Sequence, residues 1–116
     1  MHTVIIRMIE KVIVYRVGYK MRNLQKTIER LAVKNLNKNF RNKIKPLIGW
    51  EIRKYREMAN INRCEMAKAL GVSPQQLEKY ENGKNHINAI TLLSIAVLVD
   101  KPIEYFYESS RRFIEE

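Results

Sequence analysis

A short helix followed at once by a sharp turn is the feature that most constrains this fold. Asn62, with Glu65 three residues later, forms a capping-box pattern, which predicts a helix beginning at Arg63. The helix is expected to end at Leu70, because Gly71 has no Cβ and adopts the conformation of a tight turn most readily. The chain therefore cannot continue here as one long helix, and a separate element must follow the turn.

A second short helix begins directly after the turn. Ser73 is its expected N-cap, Pro74 occupies the first helical position, and Gln76 completes a second capping box. The helix, over residues 73–82, is closed by Gly83. The pair has the layout of a helix–turn–helix, with small or apolar side chains where the two helices approach each other and their supports: Met66, Ala67, Leu70, Val72, Leu77 and Tyr80.

Three further helices are expected around this pair. One runs over Leu47–Ala59 and another over Ala89–Val99, and the last begins at Pro102. The sequence therefore predicts an all-α domain of five helices over residues 46–108, followed by a C-terminal tail over residues 109–116.

The excess of positive over negative charge is confined to the N-terminal part of the chain. The formal net charge is +10, and residues 1–48 contain 12 Lys and Arg but only two acidic residues, whereas residues 49–116 contain ten of each sign. Pro46 stands beside this change, so residues 1–45 are interpreted as a basic N-terminal arm. Such an excess favours a polyanionic partner such as nucleic acid, double-stranded DNA included, or an anionic membrane surface.

The arm itself has two parts. Residues 22–44 predict one amphipathic helix, because apolar residues recur there at steps of three to five. These residues are Leu24, Ile28, Leu31, Leu36, Phe40 and Ile44. Residues 4–17 fit either a strand, because they are rich in β-branched residues, or a helix with one apolar face. An alternative takes Met21 as the working start of the chain.

Residues 47–107 resemble the Xre family of transcriptional regulators, to which phage repressors and Cro belong. The resemblance lies in IGWEIRKYRE at residues 48–57, in RCEMAKALGVSPQQLEKYENG at residues 63–83, and in Leu92–Phe106. It implies a five-helix lambda-repressor-like fold that binds operator DNA as a homodimer, with helix 73–82 in the major groove. It also implies a transcriptional regulator, expected to be a repressor. The single cysteine fits a reducing setting, so a cytoplasmic protein is expected.

The resemblance further implies a set of DNA contacts. The residues are Arg63, Ser73, Pro74, Gln75, Gln76, Lys79, Asn82, Lys84 and Asn85. Gln75, Gln76 and Lys79 would meet base edges, because Gln can pair with adenine and Lys can donate to guanine. Pro74 departs from the family and offers only an apolar contact, while Ser73 lies near the DNA backbone.

The remaining contacts would be made to phosphates. Arg63 stands where the family usually has a phosphate-binding Gln, and its forked guanidinium suits the same role. Asn82, Lys84 and Asn85 match the family's backbone-contacting loop. The alternatives are simple solvent exposure for Gln75, exposure or helix capping for Gln76, and an ordinary helix terminus for the loop residues.

Two further groups of residues have structural expectations. Arg56 and Glu81 match an internal ion pair of the family, which is not a binding site. Ile90, Leu93 and Val97 form a second apolar stripe on the helix over Ala89–Val99, so this helix needs a second partner. We expect either the dimer mate or the arm helix there; the alternative is a slightly apolar surface.

Other classes of protein are disfavoured by what the sequence lacks. No nucleophile stands near a base, and no paired acids or phosphate-binding Gly loop are recognisable, so the chain is not expected to be an enzyme or to need a cofactor. Cys64 is the single cysteine, which excludes an intrachain disulfide and a Cys-based zinc site. The alternative functions are an antitoxin-type module that binds a protein partner and, less favoured, attachment to a membrane surface through the arm.

Overall fold

The computed structural model describes residues 24–115, and the regular structure in that range is entirely helical. This confirms the expected all-α class. The chain divides into two compact units, Met1–Asn37 and Lys38–Glu116. The helices are α1 (residues 24–36), α2 (Lys38–Met58), α3 (Arg63–Leu70), α4 (Pro74–Glu81), α5 (Ala89–Leu98), a 3₁₀ helix (Ile103–Tyr107) and α6 (Glu108–Glu115). The predicted strand or helix over residues 4–17 lies outside the described residues.

The described part of the first unit is α1. Its apolar residues Leu24, Ile28 and Leu31 are 51%, 51% and 36% exposed. The sequence predicts one helix over residues 22–44, but α1 ends one residue before Asn37, whose N–H donates to the Lys34 carbonyl at 3.1 Å. Asn is a weak helix former whose side chain competes for backbone groups, which explains a break in this Asn-rich stretch.

α2 is longer than the helix expected to start at Leu47, because it begins at Lys38 and contains Pro46 in its interior. An interior proline removes one helical hydrogen bond and usually ends a helix. Packing holds the helix together on both sides of it. Phe40 stacks on Phe113 with ring centroids 5.9 Å apart, and Gly49 is buried against the end of α4. The expected boundary between residues 45 and 46 therefore falls inside a continuous helix.

The core of the second unit forms between α2 and the helices that follow it. Its members are Ile52, Tyr55, Met66, Ala67, Leu77, Leu92, Ile95, Ala96, Val99 and Phe106. The Tyr55 and Phe106 rings meet edge-on at 5.3 Å, which anchors the 3₁₀ helix to α2. Ala67 is completely buried, so a larger side chain there would force α3 away from its neighbours.

The turn between α3 and α4 forms as the sequence indicates. Gly71 has φ +70°, a left-handed conformation that favours glycine. Asn62 Oδ1 accepts from the Glu65 N–H at 2.8 Å, and Ser73 Oγ accepts from the Gln76 N–H at 3.0 Å. The Glu65 side chain returns the first capping contact. Among the described hydrogen bonds, the expected return contact from the Gln76 side chain is missing, so its amide is not used for capping.

The C-terminal segment, predicted as a tail, is the helix α6, which packs on α2. Ser109 Oγ donates to Glu51 Oε1 at 2.7 Å, and Ser110 is buried beside it. Phe113 completes the contact by stacking on Phe40. The fifth helix, expected to begin at Pro102, is a 3₁₀ helix over Ile103–Tyr107 that follows Pro102.

Candidate nucleic-acid interface

α4 has a buried side and an exposed side. Leu77 is completely buried and Glu81 is 5% exposed, which fixes this side of the helix against the core. Gln75 and Lys79, one helical turn apart, are both exposed, as is Glu78. The outward side of α4 is therefore not covered by any other part of the described chain.

The start of α4 presents the other residues expected to face DNA. Ser73 is exposed, while Pro74 and Gln76 are half-buried. The Ser73 hydroxyl caps the helix, and Pro74 is at its first position, where no N–H is required. The proline ring and the Gln76 amide therefore border the exposed side that carries Gln75.

A buried ion pair holds the end of α4 against α2. Arg56 Nε donates to Glu81 Oε2 at 2.6 Å, and Arg56 Nη2 donates to Glu81 Oε1 at 3.1 Å. The third guanidinium nitrogen of Arg56 donates to the Ile61 carbonyl at 3.0 Å. The two side chains are 8% and 0% exposed, so this bidentate pair is shielded from solvent.

Arg63 also binds Glu81, a contact that the sequence analysis missed. Its Nε and Nη2 lie 3.3 Å and 3.2 Å from Glu81 Oε1, and its side chain is 35% exposed. Two guanidinium groups thus share one carboxylate, which leaves positive charge at the N-terminus of α3. The sequence offers one indication, the match of Glu81 to an ion pair of the family, and it concerns Arg56. Arg63 is 18 residues from Glu81, so no local pattern predicts their contact.

The same positive charge influences a neighbouring carboxylate on α2. Arg53 donates to Glu57 at 2.9 Å, and this hydrogen bond is the main reason why the pKa of the Glu57 carboxyl is lowered. The charges of Arg56 and Arg63 lower this pKa further. Glu57 therefore remains ionised and offsets part of the arginine charge on this side of α2.

The loop after α4 has a fixed backbone and exposed side chains. The Asn82 N–H donates to the Glu78 carbonyl and the Lys84 N–H to the Lys79 carbonyl, both at 2.9 Å. The Asn82, Lys84 and Asn85 side chains are all exposed. These three residues, expected to contact the DNA backbone, thus follow directly from the C-terminus of α4.

α5 has an exposed apolar face. Ile90, Leu93 and Val97 are 80%, 55% and 73% exposed. Leu93 and Val97 also line an open groove of about 350 Å³ between α3 and α5. The other residues of this groove are Ala69, Leu70, Ser94 and Leu98. The second apolar stripe that the sequence indicates is therefore uncovered within the described residues.

Glu51 is a buried charge that the sequence analysis did not single out. It is 2% exposed, and its Oε2 lies 2.9 Å from Lys54 Nζ in an ion pair without the geometry of a hydrogen bond. The Glu51 carboxylate raises the pKa of Lys54, whose ammonium also lies 4.8 Å from the centroid of the Trp50 ring. Glu51 links α2 to Ser109 of α6, so its role is structural.

Neither a metal centre nor a membrane span is found in the part of the chain that the structure describes. Between residues 24 and 115, no three His, Cys, Asp or Glu side chains cluster closely enough to hold a metal ion. No helix in the same range has both the length and the apolar character needed to cross a membrane.

Comparison with known proteins identifies the class of this domain. Residues 52–106 match the Helix-turn-helix family, within the segment that the sequence motifs indicated. The segment over residues 52–106 is therefore similar to the helix–turn–helix domain of Xre/Cro-like DNA-binding transcriptional regulators.

Bacterial transcriptional regulators are among the relatives of this chain. A transcriptional regulator in the ATPase CF(0) region of Rhodospirillum rubrum is 37% identical over 65 residues, which are 56% of this chain and 60% of that protein. An HTH-type transcriptional regulator of Sinorhizobium medicae is 32% identical over 74 residues, which are 64% of this chain and 53% of that protein. The matched segment thus spans little more than half the length of these relatives.

A solved structure with the same fold is the clp gene regulator ClgR from Corynebacterium glutamicum. Its TM-score is 0.57 at 19% sequence identity, and the match covers 62% of this chain and 77% of that chain. At this level of identity the similarity concerns the fold alone.

Proposed function

We propose that this chain binds specific DNA sequences as a transcriptional repressor, with α4 in the major groove. The observation that supports this most directly is the exposure of Gln75 and Lys79, which lie one turn apart on the uncovered side of α4. Gln can donate to and accept from adenine, and Lys can donate to guanine, so both side chains have the chemistry for base recognition. Pro74 adds an apolar surface suited to a thymine methyl group.

Phosphate contacts would position the domain on the duplex. Lys84 and the amides of Asn82 and Asn85 are exposed directly after α4, and Arg63 adds positive charge at the start of α3. Contacts of this kind supply affinity but no sequence information. The chain would repress by occupying a promoter and would perform no chemistry itself. In the bacteria that provide the relatives, the chromosome lies in the cytoplasm, which is where such a protein would act.

Selection of binding sites from random duplexes at a fixed salt concentration tests the main proposal. We expect Gln75→Ala and Lys79→Ala each to reduce the preference for the selected site over a one-base variant by about 1–3 kcal/mol. Glu104→Gln, an exposed change outside α4, is the control and should retain that preference. Enrichment of no sequence, or full specificity in both alanine variants, would contradict the proposal.

We also propose that the exposed face of α5 binds the same face of a second copy. Ile90, Leu93 and Val97 are exposed, and no charged residue occurs anywhere in Ala89–Leu98. Two copies of a chain with net charge +10 can therefore meet at this face without opposing like charges across the contact. The apolar residues of α1 are a less suitable occupant, because Lys26 and Arg30 lie among them.

Sedimentation equilibrium of the full chain separates these two occupants. We expect Leu93→Glu to convert dimer to monomer, because two buried carboxylates would face each other, while Glu104→Gln, at an exposed position elsewhere, leaves the dimer intact. Loss of the dimer in Ile28→Glu with retention in Leu93→Glu would instead point to α1.

A further inference from the structure

The N-terminal half of α2 carries a basic strip that lies outside the matched family segment. Lys38, Arg41 and Lys45 are spaced by three, four and seven residues, so they share one side of the helix. Lys38 and Arg41 are exposed and Lys45 is half-buried. The described residues form no ion pair with these three side chains, and residues 38–46 contain no acidic residue.

Two close backbone contacts show which elements lie against this side of α2. Gly49 lies against the carbonyl oxygens of Tyr80 and Glu81, so that any Cβ at Gly49 would overlap them. One turn earlier, Gly83 lies against Pro46, and a Cβ at Gly83 would be 2.6 Å from Pro46 Cα. α2 therefore crosses the C-terminus of α4 at Gly49 and passes over the first residues of the following loop.

Helical spacing then places the basic strip next to that loop. Lys45 and Lys38 precede Gly49 by four and eleven residues, so they lie on the same side of α2 as Gly49. With a rise of about 1.5 Å per residue, they lie about 6 Å and 16 Å along the helix beyond the crossing with α4. The strip thus extends from the place where Gly83 contacts α2, with Lys84 as the next residue of the loop.

The opposite side of α2 faces α6. Phe40 stacks on Phe113, and Lys43 Nζ lies 5.8 Å from the centroid of the same ring. Lys43 is therefore separated from the strip by the body of the helix. Lys43 is thus a basic residue of the same stretch of sequence that points to a different side of α2 from Lys38, Arg41 and Lys45, which makes it suitable for a control variant.

Helix stability does not account for positive charge at this end of α2. Cations near a helix N-terminus oppose the helix dipole, and the first turn of α2 has no acidic residue to compensate. A polyanion lying along the strip would remove this unfavourable interaction. Each strand of duplex DNA carries a charge about every 3.4 Å along its axis, so a strip about 10 Å long spans several phosphates.

We propose that Lys38, Arg41 and Lys45 bind DNA phosphates and, with Lys84, form one continuous backbone contact that extends the footprint beyond the helix–turn–helix. This proposal rests on the function proposed above, because it requires α4 and its loop to lie on a duplex. Such contacts increase affinity for every sequence and leave the choice between sequences to α4.

The test compares two triple variants of the full chain that lose the same charge. The strip variant combines Lys38→Gln, Arg41→Gln and Lys45→Gln. The control variant combines Lys43→Gln, Arg111→Gln and Arg112→Gln, which alter the α6 side of α2 and exposed residues of α6 itself. Circular dichroism and thermal unfolding first verify that both variants fold.

The measurement is the slope of log K against log salt concentration, for the selected duplex and for a random duplex. We expect the slope to fall in magnitude by about 2 to 3 in the strip variant, because each lost phosphate contact contributes about 0.9, and to change by less than about 1 in the control. The preference for the selected duplex should be the same in all proteins. Phosphate-ethylation interference identifies the DNA phosphates that each protein contacts. The strip variant should lose contacts with phosphates that Lys84→Gln still contacts.

An unchanged slope in the strip variant, or an equal fall in both variants, would overturn the strip proposal. If Gln75→Ala and Lys79→Ala still relax specificity in that case, the proposed function stands and the strip alone is wrong. A parent protein that binds no duplex overturns both proposals.

Discussion

Glu81 accepts hydrogen bonds from two arginines of different exposure, and this difference determines what each arginine contributes. Arg56 is 8% exposed and Arg63 is 35% exposed, while the Glu81 side chain is fully shielded. A buried charge that loses its partner is costly, because neither water nor another ion replaces the lost interaction. A partly exposed pair contributes much less, because solvent screens it. The two arginines should therefore respond very differently to mutation.

We expect Glu81→Gln to lower the free energy of unfolding by about 3–5 kcal/mol, because the buried Arg56 guanidinium then keeps only its longer ionic contact with Glu57, whose Oε1 lies 3.9 Å from Nη2. Arg63→Gln should lower it by only about 1 kcal/mol or less. Urea denaturation of the full chain measures both values. Equal losses would mean that the contact with Arg63 accounts for the whole effect of removing the Glu81 charge, and would argue against the availability of Arg63 for a phosphate.

At the scale of elements, two adjacent serines of α6 lie against α2, and only one of them forms a hydrogen bond to it. Ser109 donates to the buried Glu51 carboxylate at 2.7 Å, whereas the buried Ser110 hydroxyl has no hydrogen-bond partner among the described residues. We expect Ser109→Ala to lower the free energy of unfolding by about 1–3 kcal/mol, because Glu51 Oε1 loses its donor. Ser110→Ala is the matched control.

The control should be neutral or stabilising, because it removes a buried polar group that gains nothing from burial. Thermal or urea unfolding of the two single variants provides the comparison. The reverse order of stabilities would show that α6 is not fixed by the hydrogen bond to Glu51.

The same elements show what the sequence can predict. The caps at Asn62 and Ser73 and the turn at Gly71 depend on residues at most a few positions apart, so their patterns are readable locally. The Ser109–Glu51 bond joins residues 58 positions apart and depends on how two helices pack. Such contacts leave no periodic signal, which is why α6 was expected to be a tail.

Pro46 shows that tertiary contacts can also override a local sequence signal. Its local signal, a proline beside a change in charge, predicts a helix boundary. The tertiary contacts of Phe40 and Gly49 on either side outweigh that signal and keep α2 continuous. In the candidate site, helical spacing predicts which side of α4 is exposed. The hydrogen bonds from Arg63 to Glu81 join residues 18 positions apart and are not predictable from the sequence.

At the scale of the whole molecule, the proposed dimer links stability to concentration. If the α5 faces of two copies pair, burying Ile90, Leu93 and Val97 stabilises the folded chain only when a second copy is bound. Each tenfold rise in protein concentration then favours the dimer over its separated chains by about 1.4 kcal/mol. We therefore expect the thermal unfolding midpoint of the parent chain to rise with concentration, and that of Leu93→Glu to remain constant. Differential scanning calorimetry over a hundredfold range of concentration measures this. A constant midpoint for the parent would contradict dimerisation in that range, and a midpoint that still rises in Leu93→Glu would place the second copy elsewhere than on α5.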